Sequence, residues 1–68
     1  MADEIEDLNA YIDCVTDEIE MNRRRAAKLR AQRNWRAANA LDAYNRDLRA
    51  DLSKTVRERG QLLYQGGA

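Results

Sequence analysis

The sequence predicts an all-α protein that folds as an antiparallel, coiled-coil-like hairpin of two long helices. Three observations support this fold class. In the chain of 68 residues, apolar residues recur at alternating spacings of three and four through the first half, this pattern then loses its phase, and a second apolar stripe follows in a different frame. Because so short a chain forms one domain at most, we expect residues 1–68 to be a single hairpin domain.

The first helix is predicted over residues 3–33. Its apolar face repeats every three or four residues and consists of Ile5, Leu8, Ile12, Val15, Ile19, Asn22, Ala26 and Leu29. Asn22 is the polar member of this row, and an asparagine at such a position typically fixes helix register and oligomeric state. Acidic residues at the start of this segment and basic residues at its end also match the helix dipole.

The apolar pattern loses its phase after Leu29, which predicts a turn at residues 34–35. Asn34 suits the left-handed conformation that ends many helices, and Trp35 is expected to fold back over the joint. One uninterrupted helix is the alternative, because neither proline nor glycine forces a turn here and the neighbouring alanines are good helix formers.

The second helix is predicted over residues 36–63, followed by a frayed tail at 64–68. Its apolar stripe contains Leu41, Tyr44, Leu48, Leu52, Val56 and Leu63, and is flanked by Asn45, Thr55 and Arg59. We expect the two helices to build the core and a dimer contact from one set of residues. These are Ile5, Leu8, Ile12, Val15, Ile19, Asn22, Leu29, Leu41, Tyr44, Leu48, Leu52 and Val56.

The apolar stripes are wider than a single helix–helix interface can cover. At roughly 25 cal/mol per Å² of buried apolar surface, one seam hardly offsets the entropy of ordering the chain. Residues 1–20 carry eight acids and no base, whereas residues 21–41 carry seven bases and no acid. Two hairpins lying head to tail would therefore match acid to base twice. The sequence predicts an antiparallel homodimer that forms a four-helix bundle.

The composition argues against catalysis and against metal or cofactor binding. The chain has no histidine, and Cys14 is its single cysteine, so the commonest general base and the Cys/His zinc-ligand sets are missing. No apolar run approaches the ~20 residues that span a bilayer, and the acidic start does not resemble a signal peptide. We expect a non-enzymatic, cytoplasmic protein with no membrane association.

The arginine-rich tip of the hairpin is the predicted partner-binding surface, together with one flank of the first helix. Its residues are Tyr11, Met21, Arg24, Arg25, Lys28, Trp35 and Arg36. The bases suit an acidic protein surface or phosphates, and a contact with the second subunit or a solvated charged surface are the alternatives. Three functions stay open: a module that inhibits another protein by covering its surface, a nucleic-acid-binding accessory protein, and a structural or scaffold coiled coil.

The joint Asn34-Trp35-Arg36-Ala37-Ala38 resembles the turn and second-helix start of a tetratricopeptide repeat, and this local resemblance implies a helical hairpin only. In its length, Arg/Ala-rich composition and two long helices, the whole chain resembles the quorum-sensing anti-activator family of Mu-like Pseudomonas phages. That resemblance implies a helical dimer in the host cytoplasm that binds and inhibits a LuxR-type transcriptional regulator. It also implies a second host partner, the ATPase that drives type IV pilus assembly.

Overall fold

Two helices pack against each other in the computed structural model, which describes residues 2–67 and the side chains of residues 4–65. Helix α1 spans Ala2–Ala31 and helix α2 spans Trp35–Gly67. They run antiparallel and form a rod measuring 53 × 15 × 11 Å. The predicted all-helical hairpin is confirmed, and the alternative of one uninterrupted helix is wrong.

The helix bounds differ from the predicted ones by a few residues. Helix α1 ends at Ala31, two residues before the predicted end, and α2 begins at Trp35, one residue earlier than predicted. Helix α2 also continues through residues 64–67, where a frayed tail was predicted. Ala68 lies outside the described residues.

The turn between the helices is a Schellman motif centred on Arg33. The Asn34 amide donates to the Leu29 carbonyl at 2.7 Å, and the Arg33 amide donates to the Arg30 carbonyl at 2.9 Å. Arg33 has a φ of 63° and is the left-handed residue. Assigning that conformation to Asn34 was wrong, because Asn34 is instead the N-cap of α2. Its side-chain Oδ1 accepts a hydrogen bond from the Ala37 amide at 3.5 Å.

The inward-facing row of α1, which we call its seam, is the predicted one. The corresponding seam of α2 is more polar than predicted. The inward positions of α2 keep the three-and-four spacing and are Ala38, Leu41, Asn45, Leu48, Leu52, Thr55, Arg59 and Leu62, all buried or half-buried. Three of these, Asn45, Thr55 and Arg59, were expected beside the stripe. Tyr44 and Val56, by contrast, are 49% and 38% exposed, so neither belongs to the core of the hairpin.

The centre of the hairpin is held by small side chains and one polar pair. Among the described residues, Val15, Ala26 and Ala38 are the buried apolar side chains, and Asn22 and Asn45 are the buried polar ones. Asn22 Nδ2 donates to Asn45 Oδ1 at 3.0 Å, and Asn45 Nδ2 donates to the Ile19 carbonyl at 3.1 Å. Each buried amide therefore has a partner, and the pair sets the register of α1 against α2.

Candidate protein-binding surface

The structure divides the seven predicted contact residues into two separate surfaces and one outlier. Trp35 and Arg36 lie at the tip, which we define as Arg33, Trp35 and Arg36. Four others lie along α1 in a row that we call the flank, formed by the positions that each precede a seam residue. The flank consists of Glu4, Asp7, Tyr11, Cys14, Glu18, Met21, Arg25 and Lys28. Arg24, the outlier, lies beside the flank rather than in it.

The tip is a solvent-exposed aromatic side chain between two arginines. Trp35 is 57% exposed and is the first residue of α2, so it does not fold back over the joint as predicted. Arg33 and Arg36 are also exposed, and within the described residues neither of them forms an ion pair. The Schellman turn and the Asn34 cap fix the backbone that presents these three side chains.

Arg24 is partly neutralised by an acidic neighbour one helical turn away. Its Nε lies 3.2 Å from Glu20 Oε1, while Arg23 binds the same carboxylate through Nε at 3.0 Å and Nη2 at 2.8 Å. The hydrogen bonds from Arg23 are the main reason that the pKa of Glu20 falls to about 2. Arg24 is therefore the least available cation of the predicted contact set.

The flank lies on one side of the hairpin, and the two sides are chemically different. On the flank side, the Tyr44 hydroxyl donates to the Glu18 carboxylate at 3.1 Å, and this hydrogen bond raises the pKa of Tyr44. The opposite side of α1 carries the ion pair between Arg30 and Asp42. Met21, Arg24, Arg25 and Lys28 together line a shallow groove of about 270 Å³ on the outer surface of α1.

Sequence reasoning missed one exposed aromatic residue near the end of α2. Tyr64 is 83% exposed and lines an open depression of about 590 Å³ together with Arg57, Gly60, Gln61 and Gln65. The sequence carried a usable signal, because Arg57, Gly60, Gln61 and Tyr64 follow the same three-and-four helical spacing.

The described residues contain no group of three or more His, Cys, Asp or Glu side chains placed to hold a metal ion. Cys14 is exposed and forms no disulfide. Neither helix is sufficiently long and apolar to cross a bilayer over the part of the chain that the structure describes. No protein-family model, curated protein or solved structure matches this chain.

Proposed function

We propose that this protein is a non-enzymatic protein–protein interaction module whose tip binds an acidic surface on a partner protein. The exposure of Trp35 between two arginines is the observation that supports this function most directly. Tryptophan and arginine are the residues most enriched at the energetic centres of protein interfaces. An acidic partner surface would supply the counter-charges that Arg33 and Arg36 do not find among the described residues.

The proposal includes dimerisation of the hairpin into a four-helix bundle. The support for it is the distribution of apolar surface in the single hairpin. Three apolar side chains are buried among the described residues, whereas seven large apolar or aromatic ones are exposed. A rod only 11 to 15 Å thick cannot cover them with its own two helices. Association of two hairpins is the simplest way to cover part of this surface.

The resemblance to the phage anti-activator family supports a more specific form of the proposal. In that form the partner is a host LuxR-type transcriptional regulator, and the protein acts by occupying a surface that the regulator needs. The pilus-assembly ATPase would be a second partner of the same kind. This support comes from length, composition and the two long helices, while the assignment of the tip comes from Trp35 and its neighbouring arginines.

The proposal is tested by a tagged pull-down from a bacterial host lysate, with and without nuclease, read by mass spectrometry. The wild-type chain is compared with Trp35→Ala/Arg36→Glu and with a control, Arg46→Glu, which changes an exposed arginine on α2 away from the tip. We expect one or two host proteins, near stoichiometric with the bait and resistant to nuclease. The tip variant should retain at least about 10-fold less of them, because interface centres of this kind dominate affinity.

Other outcomes of the pull-down contradict the proposal in different ways. Recovery that disappears with nuclease would assign the tip arginines to nucleic-acid phosphates. An empty pull-down, combined with concentration-dependent oligomers larger than a dimer, would favour a scaffold coiled coil. Equal loss in the tip variant and in Arg46→Glu would show that binding follows overall charge rather than the tip.

A further inference from the structure

The flank of α1 is the exposed surface whose composition most clearly indicates an occupant. From Glu4 to Lys28 it reads acid, acid, apolar, apolar, acid, apolar, base, base. Tyr11 is 44% exposed and Met21 is 62% exposed, and Cys14 between them is exposed as well. Three exposed apolar side chains, interrupted once by Glu18 and framed by opposite charges, are typical of an interface rather than of a solvated helix face.

Four of the five flank charges form no ion pair within the described part of the hairpin, and the fifth, Glu18, accepts the hydrogen bond from Tyr44. Among the described residues, none of Glu4, Asp7, Arg25 and Lys28 takes part in an ion pair. The positions on the opposite side of α1, each of which follows a seam residue, differ from the flank in the pairing of their charges and in the size of their apolar residues. Their cations are already paired, Arg23 with Glu20 and Arg30 with Asp42, and alanine is the largest apolar residue among them.

Three of the four residue pairs in the flank are complementary when the row is reversed, and the fourth places Cys14 opposite Glu18 of the partner subunit. If a second α1 lies antiparallel to the first, with the two-fold axis at residue 16, Glu4 faces Lys28 of the partner subunit. Asp7 then faces Arg25 of the partner subunit, and Tyr11 faces Met21 of the partner subunit. Every contact occurs twice because of the symmetry, over a length of about 36 Å.

We propose that a second copy of this chain docks along the flank, with α1 packed antiparallel against α1 in that register. This inference deepens the proposed dimerisation and rests on it. A parallel arrangement would place acid against acid and base against base. A uniformly acidic or basic partner would match only one half of the row, whereas a second copy matches both.

Helix α1 carries this contact, and the tip stays exposed in it. On the flank side α2 contributes Tyr44, and its other residues there are mostly charged or polar. Trp35 lies two helical turns before Asp42, and therefore on the side of the Arg30–Asp42 ion pair, away from the flank. The proposed dimer accordingly leaves each Trp35 accessible to a partner protein, so the two proposals use different surfaces.

Charge reversal in the full-length chain, followed by sedimentation equilibrium, tests the register. Asp7→Arg and Arg25→Asp each turn two attractive contacts in the dimer into repulsive ones, and we expect each to weaken dimerisation roughly 10- to 30-fold. The double variant Asp7→Arg/Arg25→Asp restores opposite charges in the reversed sense. Its dimer affinity should return to within about 3-fold of the wild type, because the lost surface pairs are replaced by equivalent ones.

A matched control separates this register from a general effect of charge. The single reversals Asp13→Arg and Arg46→Asp make the same changes in net charge at exposed positions on the side of the hairpin away from the flank, and each should leave dimerisation unchanged. Circular dichroism of every variant monitors helicity. If a variant loses helicity, the pair Glu4→Lys and Lys28→Glu provides the same single-and-double comparison at the ends of the flank.

The two proposals fail in distinguishable ways. A wild-type chain that stays monomeric at millimolar concentration would overturn the proposed dimerisation and this register with it. A wild-type dimer that both single reversals weaken, and that the double reversal does not restore, would overturn the register and leave dimerisation standing. A dimer that is indifferent to Asp7→Arg and to Arg25→Asp would overturn the flank as the contact.

Discussion

The buried Asn22–Asn45 pair gives the sharpest test of how the two helices are held in register. Both side chains are almost fully buried, with exposures of 8% and 4%. The perturbation is a double-mutant cycle with Asn22→Ala, Asn45→Ala and the two changes combined. Asn22 makes one side-chain hydrogen bond, to Asn45, whereas Asn45 makes two, to Asn22 and to the Ile19 carbonyl.

The bonding pattern predicts unequal single-mutant effects. Asn22→Ala removes one hydrogen bond and leaves Asn45 Oδ1 buried without a donor, at a cost of about 1–3 kcal/mol. Asn45→Ala removes two bonds and should cost about 1 kcal/mol more, since a typical net hydrogen bond contributes about that much. The double variant loses the pair without leaving either member orphaned. Its cost should therefore be about 1–2 kcal/mol smaller than the sum of the single costs.

Urea unfolding followed by circular dichroism, at one fixed protein concentration, measures these free energies. The fixed concentration is needed because association would add to the apparent stability. We also expect Asn22→Leu/Asn45→Leu to be more stable than the wild type, yet less selective in oligomeric state. Single costs that add to within about 0.3 kcal/mol would refute the reasoning, because independent sites behave in that way.

Four further predictions follow from the turn, the Glu20 cluster, the seam and the burial pattern. Arg33→Gly should raise the free energy of unfolding by about 0.5–1 kcal/mol, because glycine relieves the left-handed strain at some entropic cost; urea unfolding measures it. The Glu20 carboxyl should titrate near pH 2 by NMR and move back towards 4.5 in Arg23→Gln. Since its pKa is lower in the folded chain, its contribution to stability is complete above pH 4.5 and is lost as the pH falls to about 2. Thr55→Val and Arg59→Leu should each raise the free energy of unfolding by about 1 kcal/mol, measured in urea, because they place apolar side chains in the seam. A lower free energy of unfolding for Arg59→Leu would show that the hydrogen bond from Arg59 to Asn9 outweighs the apolar gain. Amide exchange should be slower in the half of the rod nearest the turn than at the open end, and uniform exchange would contradict the burial pattern.

The seam of α1 could be predicted residue by residue, but the seam of α2 could not. In α1 hydrophobicity and helical phase agree at nearly every position, and Asn22 is the one exception. In α2 they conflict, because Tyr44 and Val56 are apolar while the phase selects Asn45 and Thr55. Phase prevails because an unkinked helix cannot turn successive residues to the same side.

The pairing between the helices depended on locating the turn to within one residue. In an antiparallel hairpin, moving the turn by one residue moves every cross-helix pair by two. The predicted turn at 34–35 would have placed Asn22 opposite Asp47, whereas the observed turn places it opposite Asn45. The intrinsic preference of asparagine favoured Asn34 over Arg33 for the left-handed position. Asn34 instead caps α2, and Arg33 adopts the left-handed conformation. The seven candidate contact residues are all exposed, which depends less on exact pairing, and their role in binding stays a prediction.

The packing of the hairpin becomes looser along the rod, from the turn to the open end. The buried side chains among the described residues all lie between about the middle of the rod and the turn. Towards the open end the seam is only half-buried. There the α1 residues Leu8 and Ile12 lie opposite a part of α2 whose seam contains Thr55 and Arg59. Local stability therefore declines away from the turn. In the proposed head-to-tail dimer, the well-packed half of each hairpin lies beside the loosely packed half of its neighbour. Association would then stabilise the weaker end, while the packed end keeps Trp35 in a preorganised position for a partner.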